Sequence, residues 1–284
     1  MTPRRARTYV GISGFRYPSW RGVFYPPELP QRAWLTYASR AFDSIELNGT
    51  FYSLQSPASF TRWVAETPRR FVFAVKGSSF VTHRLKLTRA EDALANFFAS
   101  GVLALGRKTG PFLWQLPPAL RFDAARMERF LELLPRDSLE AEDLARRRSR
   151  PLARGSLLDA AERVPYRHAF EVRHPSFLVQ GFFDLLRAHG CAFVIADTAG
   201  IFPYAEEVTA DFVYVRLHGS RELYASGYDD EEIAEWAERI LTWTGEGRAR
   251  TLDAYVYFDN DAKVHAPRDA RRLAERLGGA GAIT

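Results

Sequence analysis

Cysteine is almost absent from this chain of 284 residues, in which Cys191 is the only one. A single cysteine excludes an internal disulfide bond and any metal site built of cysteine alone, and it is typical of a reducing compartment. Long hydrophobic runs are absent too, because no window approaches the roughly 20 apolar residues of a membrane span. The basic start MTPRRAR lacks the apolar stretch of a signal peptide. We therefore expect a cytoplasmic protein with no membrane partner.

Lysine is scarce, since only Lys76, Lys86, Lys108 and Lys263 occur, so arginine supplies most of the basic charge behind the net value of +5. Such a balance can accompany nucleic-acid binding, but it is also typical of a mildly basic solvated surface. Nucleotide-binding glycine loops (GxGxxG or Walker A) and the zinc motif HExxH are missing as well. We predict no organic cofactor, and the sequence leaves open whether the protein binds a divalent metal ion.

Eight short apolar runs are spread over the chain, and nearly all of them end in a charged, amide or hydroxyl side chain. They are Tyr9–Ser13, Ser44–Asn48, Phe71–Lys76, Pro111–Gln115, Ala169–Arg173, Ala192–Asp197, Phe212–His218 and Ala254–Asn260. Stretches with the apolar spacing of one-sided helices separate these runs. Eight strands that alternate with helices predict an α/β fold, a parallel eight-stranded (β/α)₈ TIM barrel.

One domain over residues 1–284, with its core at about 9–278, is the expected organisation, because this length is near that of a single barrel. The stretch Arg89–Leu105 predicts one long helix. The long, charged segment Arg136–Pro165 predicts an extension of the fourth helical layer. Thr198–Asp211, between strands six and seven, is too short for a full helix and predicts a degenerate crossover.

The polar strand ends are the candidate site, because barrel enzymes hold their catalytic groups at the carboxyl ends of several strands. Residues two apart on a strand share a face, so a second polar residue accompanies the first on several strands. The predicted cluster consists of Glu46, Asn48, Lys76, Gln115, Glu171, Arg173, Asp197, Arg216, His218 and Asn260.

The residue types in this cluster suit acid–base chemistry on a small anionic ligand. Lys76, Arg173 and Arg216 would bind a phosphate or carboxylate group, with Asn48, Gln115 and Asn260 as further ligand-binding residues. The predicted catalytic residues, which would move protons, are Glu46, Glu171, Asp197 and His218. Aromatic residues in the loops would bind a planar, sugar or nucleotide part of the ligand: Tyr17, Tyr52, Tyr224 and Tyr228. Together these features predict a hydrolase that acts on phosphoester or glycosidic bonds.

Three alternatives remain open from the residues alone. A metal-dependent, nuclease-like barrel that acts on nucleic acid would use Glu46, Glu171, Asp197 and His218 as ligands of a divalent ion. A barrel without enzymatic activity would bind a metabolite or a partner protein. The same charges could also neutralise one another and close the barrel mouth as a plug of salt bridges.

Seven motifs in order resemble those of the DUF72 (YecE-like) family over Tyr9 to Leu277. They are GISGFRYPSW, SIELNGTFY, FAVKGSSFVTHRLKL, GPFLWQLPP, FEVRHPSF, RLHG and YFDND. The resemblance implies a single-domain TIM barrel with the ten-residue polar cluster at its top face. It implies no reaction, because the activity of the family is unassigned. One departure is Asp259, which adds a negative charge where the family typically has an asparagine.

Overall fold

Eight parallel strands form a closed barrel in chain order in the computed structural model, which describes residues 6–245 and 251–278. Helices lie between the strands, so the predicted TIM barrel is confirmed. The strands are β1 Thr8–Ser13, β2 Ser44–Leu47, β3 Val72–Lys76, β4 Thr109–Gln115, β5 His168–Glu171, β6 Ala192–Asp197, β7 Phe212–Leu217 and β8 Asp253–Phe258. The predicted single domain, 1–284, includes residues outside the described ranges, and its extent stays a prediction.

The helices follow the amphipathic stretches of the sequence. They are α1 Trp34–Ala41, α2 Gly49–Tyr52, α3 Pro57–Glu66, α4 Glu91–Ala99, α5 Ala124–Leu133, α6 Ser138–Arg146, α7 Gln180–Ala188, α8 Asp230–Thr244 and α9 His265–Arg276. Asp229 begins α8 with a capping box, because its side chain accepts from Glu232 N while the Glu232 side chain accepts from Asp229 N. None of the helices in the described residues is long and apolar enough to cross a bilayer.

The prediction of one continuous helix over Arg89–Leu105 is wrong in its second half. Helix α4 ends at Ala99, and a 3₁₀ segment, Val102–Lys108, follows. Gly101 lies between them with a φ of +121°, a conformation that side-chain-bearing residues rarely adopt. A Cβ atom at this position would lie 2.6 Å from Cα of Pro57. The chain therefore turns where only glycine fits against the start of α3.

Both irregular segments agree with their predictions. Residues 198–211, all of them described, contain no helix, so the crossover between β6 and β7 is degenerate. The segment Arg136–Pro165 contributes the extra helix α6. Its start is fixed by Asp137, whose Oδ1 accepts from the backbone N–H groups of Leu139 and Glu140 at 2.9 and 3.0 Å.

The chain divides into two compact units, which are described separately. The first unit comprises Met1–Glu46 and Ala192–Thr284, and the second comprises Leu47–Cys191. In the first unit β1 pairs with β2 and β8, and β7 pairs with β6 and β8. In the second unit β4 pairs with β3 and β5. Each unit therefore aligns the carboxyl ends of its own neighbouring strands.

Candidate functional site

Arg216, on β7, is the centre of a buried ion cluster in the first unit. Its side chain and that of Glu46, on β2, are both 0% exposed. Arg216 Nη2 donates to Glu46 Oε1 at 2.8 Å, and Nε donates to Oε2 at 3.1 Å. Nη2 also donates to Oδ2 of Asp259 at 2.8 Å. Two carboxylates thus surround one guanidinium, which compensates the charge that burial would otherwise penalise.

Two hydroxyl groups complete the surroundings of Glu46. Ser13 donates to Oε1, and Tyr214 donates to Oε2 at 2.6 Å. Burial, with a further contribution from the negative charge of Glu46, raises the pKa of Tyr214 well above its usual value, so this phenol stays a donor. Both carboxylate oxygens accept from two donors, which favours a positioning role for Glu46 over contact with a substrate.

His218 follows β7 and belongs to the same cluster. Its side chain is 0% exposed. Ring atom Nε2 lies 3.3 Å from Nη1 of Arg216, and Nδ1 lies 3.1 Å from Oδ2 of Asp259. The ring of Tyr224 meets that of His218 edge-to-face, with centroids 5.3 Å apart. The structure thus brings together the predicted residues Glu46, Arg216, His218 and Tyr224, and it adds Asp259 to them.

Asp197, the last residue of β6, is half-buried. Its Oδ2 accepts from the hydroxyl of Tyr228 at 3.0 Å, and its Oδ1 accepts from Ala199 N at 3.2 Å. Burial raises the pKa of Asp197, and the hydrogen bonds from Tyr228 and Ala199 only partly oppose this shift. Tyr228 is buried and its hydroxyl also accepts from Gly219 N at 3.1 Å, which fixes the phenol against Asp197.

Two other predicted residues of the first unit hold loops in place. Asn260 is fully buried, and its Nδ2 donates to Ser226 O and to Oδ2 of Asp269, both at 3.0 Å. It therefore ties the end of β8 to the loop after β7 and to α9. Tyr17 donates to Ser13 O at 2.7 Å and stacks on Trp20, with ring centroids 4.6 Å apart.

Sequence reasoning missed Asp261. Burial, with the charge of Asp259 as the second cause, raises the pKa of Asp261 to about 6. The acidic pattern of YFDND was the available signal, but acidity alone does not say which of the two carboxyl groups is desolvated.

The second unit holds a different cluster, at the ends of β3, β4 and β5. Arg173 Nε donates to Oε1 of Glu171 at 3.0 Å, and Nη2 donates to Oε1 of Gln115 at 3.1 Å. The Glu171 side chain is 1% exposed, whereas that of Arg173 is 11% exposed. The carboxylate therefore holds a guanidinium that retains some access to solvent.

Lys76 and His83 complete this cluster. The Lys76 ammonium lies over the ring of Phe51, with Nζ 4.6 Å from the ring centroid. His83, in the π-helical turn Phe80–Arg84, meets the same ring edge-to-face at 5.1 Å. Its Nδ1 lies 2.9 Å from the hydroxyl oxygen of Thr82. The phenylalanine thus carries a cation on its face and the imidazole at an edge-to-face contact.

The pKa of His83 is lowered by burial and by the charges around it. Burial is the largest cause that lowers this pKa, followed by the positive charges of Arg173 and Lys76, while Glu171 opposes the shift. Two predicted cations and one predicted carboxylate therefore act on the imidazole of His83, which is not among the predicted site residues.

The remaining predicted residues of the second unit lie at its periphery or link elements. Asn48 is half-buried and immediately precedes α2. Tyr52 is 79% exposed at the end of α2, and its ring meets that of Phe51 edge-to-face, with centroids 5.1 Å apart. Tyr52 therefore contacts a ligand only if that ligand extends to the surface.

The predicted metal alternative draws on residues of both units, since Glu171 belongs to the second unit and Glu46, Asp197 and His218 to the first. Within residues 6–245 and 251–278, no group of three His, Cys, Asp or Glu side chains has the arrangement that would hold a metal ion. The metal-dependent nuclease stays a prediction from residue types.

Comparison with known proteins gives a family match over most of the chain. The family model described as "Protein of unknown function DUF72" matches residues 9–283. The UPF0759 protein YecE of Escherichia coli K12 is 25% identical over 293 residues, which cover 95% of this chain and 92% of that protein. The UPF0759 protein YunF of Bacillus subtilis is 23% identical over 298 residues, covering 95% and 94%. The crystal structure of a DUF72 family protein from Thermotoga maritima is similar with a TM-score of 0.74 and 27% identity, covering 96% of this chain and 99% of that one.

Proposed function

Because this chain belongs to the DUF72 family, whose function is unknown, we propose a function from its own side chains. It is an enzyme that binds a phosphate or carboxylate group at Lys76 and Arg173, with acid–base chemistry at His83 and Glu171. The reaction class that these groups support best is hydrolysis of a phosphoester. The observation that carries the proposal is that Lys76 and His83 both contact the ring of Phe51, with the charge of Arg173 also acting on His83.

Anion binding is supported by the kinds of donor in the second-unit cluster. Arg173 presents a planar guanidinium already oriented by Glu171 and Gln115, so little of its rotamer freedom is left to lose on binding. Lys76 presents a compact ammonium held over Phe51. An anion that contacts both groups makes charge-assisted hydrogen bonds, which are about twice as strong as neutral ones.

Acid–base chemistry is supported by the state of His83. Its pKa lies below the ordinary histidine value, so the ring is mostly neutral at pH 7 and accepts a proton. The hydroxyl of Thr82 contacts Nδ1 of the His83 ring. Nε2 is then the ring atom that accepts a proton from a water molecule as this water attacks the bound ester. The negative charge of Glu171 stabilises the imidazolium that results, because it acts on the ring against the two cations.

Binding of inorganic phosphate, followed by the NMR signal of the His83 ring, tests the anion site. In the wild-type protein, phosphate should raise the pKa of His83, because it offsets the positive field of Lys76 and Arg173. Lys76→Met should weaken phosphate binding by roughly 10- to 100-fold, the effect of losing one hydrogen bond to a charged group. The matched control is Lys263→Met, which removes an exposed lysine paired with Glu222 and should bind as wild type. Equal affinity in the two variants would refute the assignment.

Activity is tested with a panel of phosphomonoesters, phosphodiesters and glycosides. We expect hydrolysis of a phosphoester, a loss of at least about 100-fold in kcat in His83→Gln, and a loss in Glu171→Gln of about the same order. His83→Gln should also remove the rise of the rate with pH near the His83 pKa. A panel in which Glu171→Gln, His83→Gln and wild type behave identically contradicts the proposal.

A further inference from the structure

A cavity of about 320 Å³ lies in the first unit, apart from the residues to which the proposed reaction is assigned. It opens where β6 ends, beside the helix-free connection to β7 and helix α8. The side chains that matter for its chemistry are Asp197, Phe202, Tyr204, Glu206, Trp236 and Arg239. Its volume corresponds to roughly ten water molecules, which is enough for a small organic ligand.

Asp197, which lines the cavity, is a half-buried carboxylate with neutral donors. Among the residues that the structure describes, Asp197 accepts its hydrogen bonds from the Tyr228 hydroxyl and the Ala199 N–H. Neither donor carries a charge, so the negative charge of Asp197 is hydrogen-bonded but not neutralised by them. Burying such a charge is costly unless a cation accompanies it.

Arg239, which also lines the cavity, is already engaged with carboxylates. Arg239 Nη2 donates to Glu235 at 3.1 Å, and its Nε lies 3.9 Å from Oε1 of Glu206. Its guanidinium also lies over the ring of Trp236, 4.9 Å from the centroid. Glu206 in turn accepts from the hydroxyl of Tyr204. The rim therefore holds one guanidinium against two carboxylates, so its net charge is negative, and the charge of Asp197 adds to it.

Aromatic side chains form much of the wall between the rim and Asp197. Trp236 is 3% exposed, and Phe202 and Tyr204 come from the connection between β6 and β7. Aromatic faces carry a negative electrostatic potential and attract cations, in addition to burying apolar carbon. An anion finds the opposite conditions, because Asp197 and Glu206 both repel it.

We propose that this cavity binds a small organic ammonium ion, with the ammonium group at Asp197 and the carbon skeleton against Phe202, Tyr204 and Trp236. This is a second binding site, independent of the proposed anion site, because it uses none of the residues assigned there. Its ligand is a primary alkyl- or arylalkylammonium ion, since one carboxylate at the end of an aromatic-walled cavity matches one charged end and one apolar body.

The charge state of Asp197 supports this ligand class. Burial raises the pKa of Asp197 and the negative charge of Glu232 adds to the shift, while Tyr228, Ala199 and His218 oppose it. A bound ammonium ion favours the ionised carboxylate and should lower this pKa again. Binding should therefore weaken as the pH falls through the titration of Asp197.

The test compares n-butylammonium with two probes of similar size, n-butanol and butyrate, by calorimetric titration of the full chain. We expect n-butylammonium to bind at least about tenfold more tightly than either, because only it makes a charge-assisted hydrogen bond to Asp197. Asp197→Asn should reduce this preference at least about tenfold. Asp184→Asn, which changes an exposed aspartate on α7, is the matched control and should keep it.

Two results would overturn the proposal. One is a wild-type protein that binds n-butylammonium no more tightly than n-butanol, or that does not bind n-butylammonium at all. This measurement does not require the variant to fold. The other is an unchanged preference in a folded Asp197→Asn protein. Either result leaves phosphate binding at Lys76 untouched, so the two proposals fail separately.

Discussion

Replacing Glu46 by glutamine measures how much the buried ion pair with Arg216 contributes to the free energy of unfolding. Both side chains are 0% exposed, and the guanidinium donates to each carboxylate oxygen. Glutamine keeps the volume but removes the charge and turns one acceptor into a donor that faces Arg216. We expect a loss of about 3–5 kcal/mol, the cost of removing one partner of a buried pair. Asp259 still contacts Arg216, which favours the lower end of this range.

The matched control makes the same substitution in an exposed pair. Arg107 Nε donates to both oxygens of Glu162, at 2.9 and 2.7 Å, but the Arg107 side chain is 84% exposed. Water and salt limit such a pair to about 0–1 kcal/mol, so Glu162→Gln should be nearly neutral. Urea denaturation of both variants, followed by circular dichroism, gives the two free energies, provided the m-values agree.

The size of the difference decides the outcome. A gap of about 2 kcal/mol or more between Glu46→Gln and Glu162→Gln supports a cluster held together by desolvated charges. If the two variants unfold within about 1 kcal/mol of each other, burial does not distinguish the pairs. The Arg216 cluster then contributes nothing special to stability, and the positioning role assigned to Glu46 is refuted.

Three further predictions concern other buried groups. Burial lowers the pKa of His168 to about 4, whereas unfolded histidine gains its proton near pH 6.5. The free energy of unfolding should therefore fall by up to roughly 3 kcal/mol as the pH drops through this window, and urea titrations of His168→Gln should lack this component. Burial raises the pKa of Cys191 to about 12, so a thiol reagent should label native protein far more slowly than protein in urea; equal rates would contradict this. Asp229→Ala should lower the free energy of unfolding by about 1 kcal/mol through loss of the α8 cap, and Asp229→Asn should lower it less in the same urea assay; an equal loss would exclude the cap as the cause.

The barrel was predictable because its buried strands are recognisable in the sequence as short apolar runs. Strand β6 has the predicted bounds Ala192–Asp197. Strand β5 was predicted over Ala169–Arg173 but ends at Glu171, so Arg173 lies in the loop. In the sequence, polar and apolar side chains still alternate beyond Glu171, where the backbone hydrogen bonds of the strand stop. A pattern of side chains therefore does not show where a strand ends. The error matters little for function, since Arg173 still contacts Glu171.

The chemistry within the candidate site was harder to predict, because it depends on solvent access. Glu46 and Glu171 each lie two residues before the end of a predicted apolar run, yet only the structure shows that Glu46 accepts from Ser13, Tyr214 and Arg216. His83 lies in a π-helical turn, and no periodicity in the sequence indicates which way a side chain in such a turn points. Contacts between residues far apart in the chain decide both the burial of Glu46 and the direction in which the His83 side chain points.

The two polar clusters differ in the sign of charge that they offer a ligand, and this difference is our argument for an open site in one cluster and a plug of salt bridges in the other. Around Arg216, one guanidinium donates to two carboxylates at 2.8 Å each, so these charges are engaged with one another, as in a plug. Around His83, burial is the largest cause that lowers the pKa, the positive charges of Arg173 and Lys76 lower it further, and the negative charge of Glu171 opposes them. The part of the shift that comes from the two cations places the His83 ring in a positive potential. An anion gains most from that potential, which is why we propose the Lys76–Arg173 cluster as the substrate site and a supporting role for the Arg216 cluster.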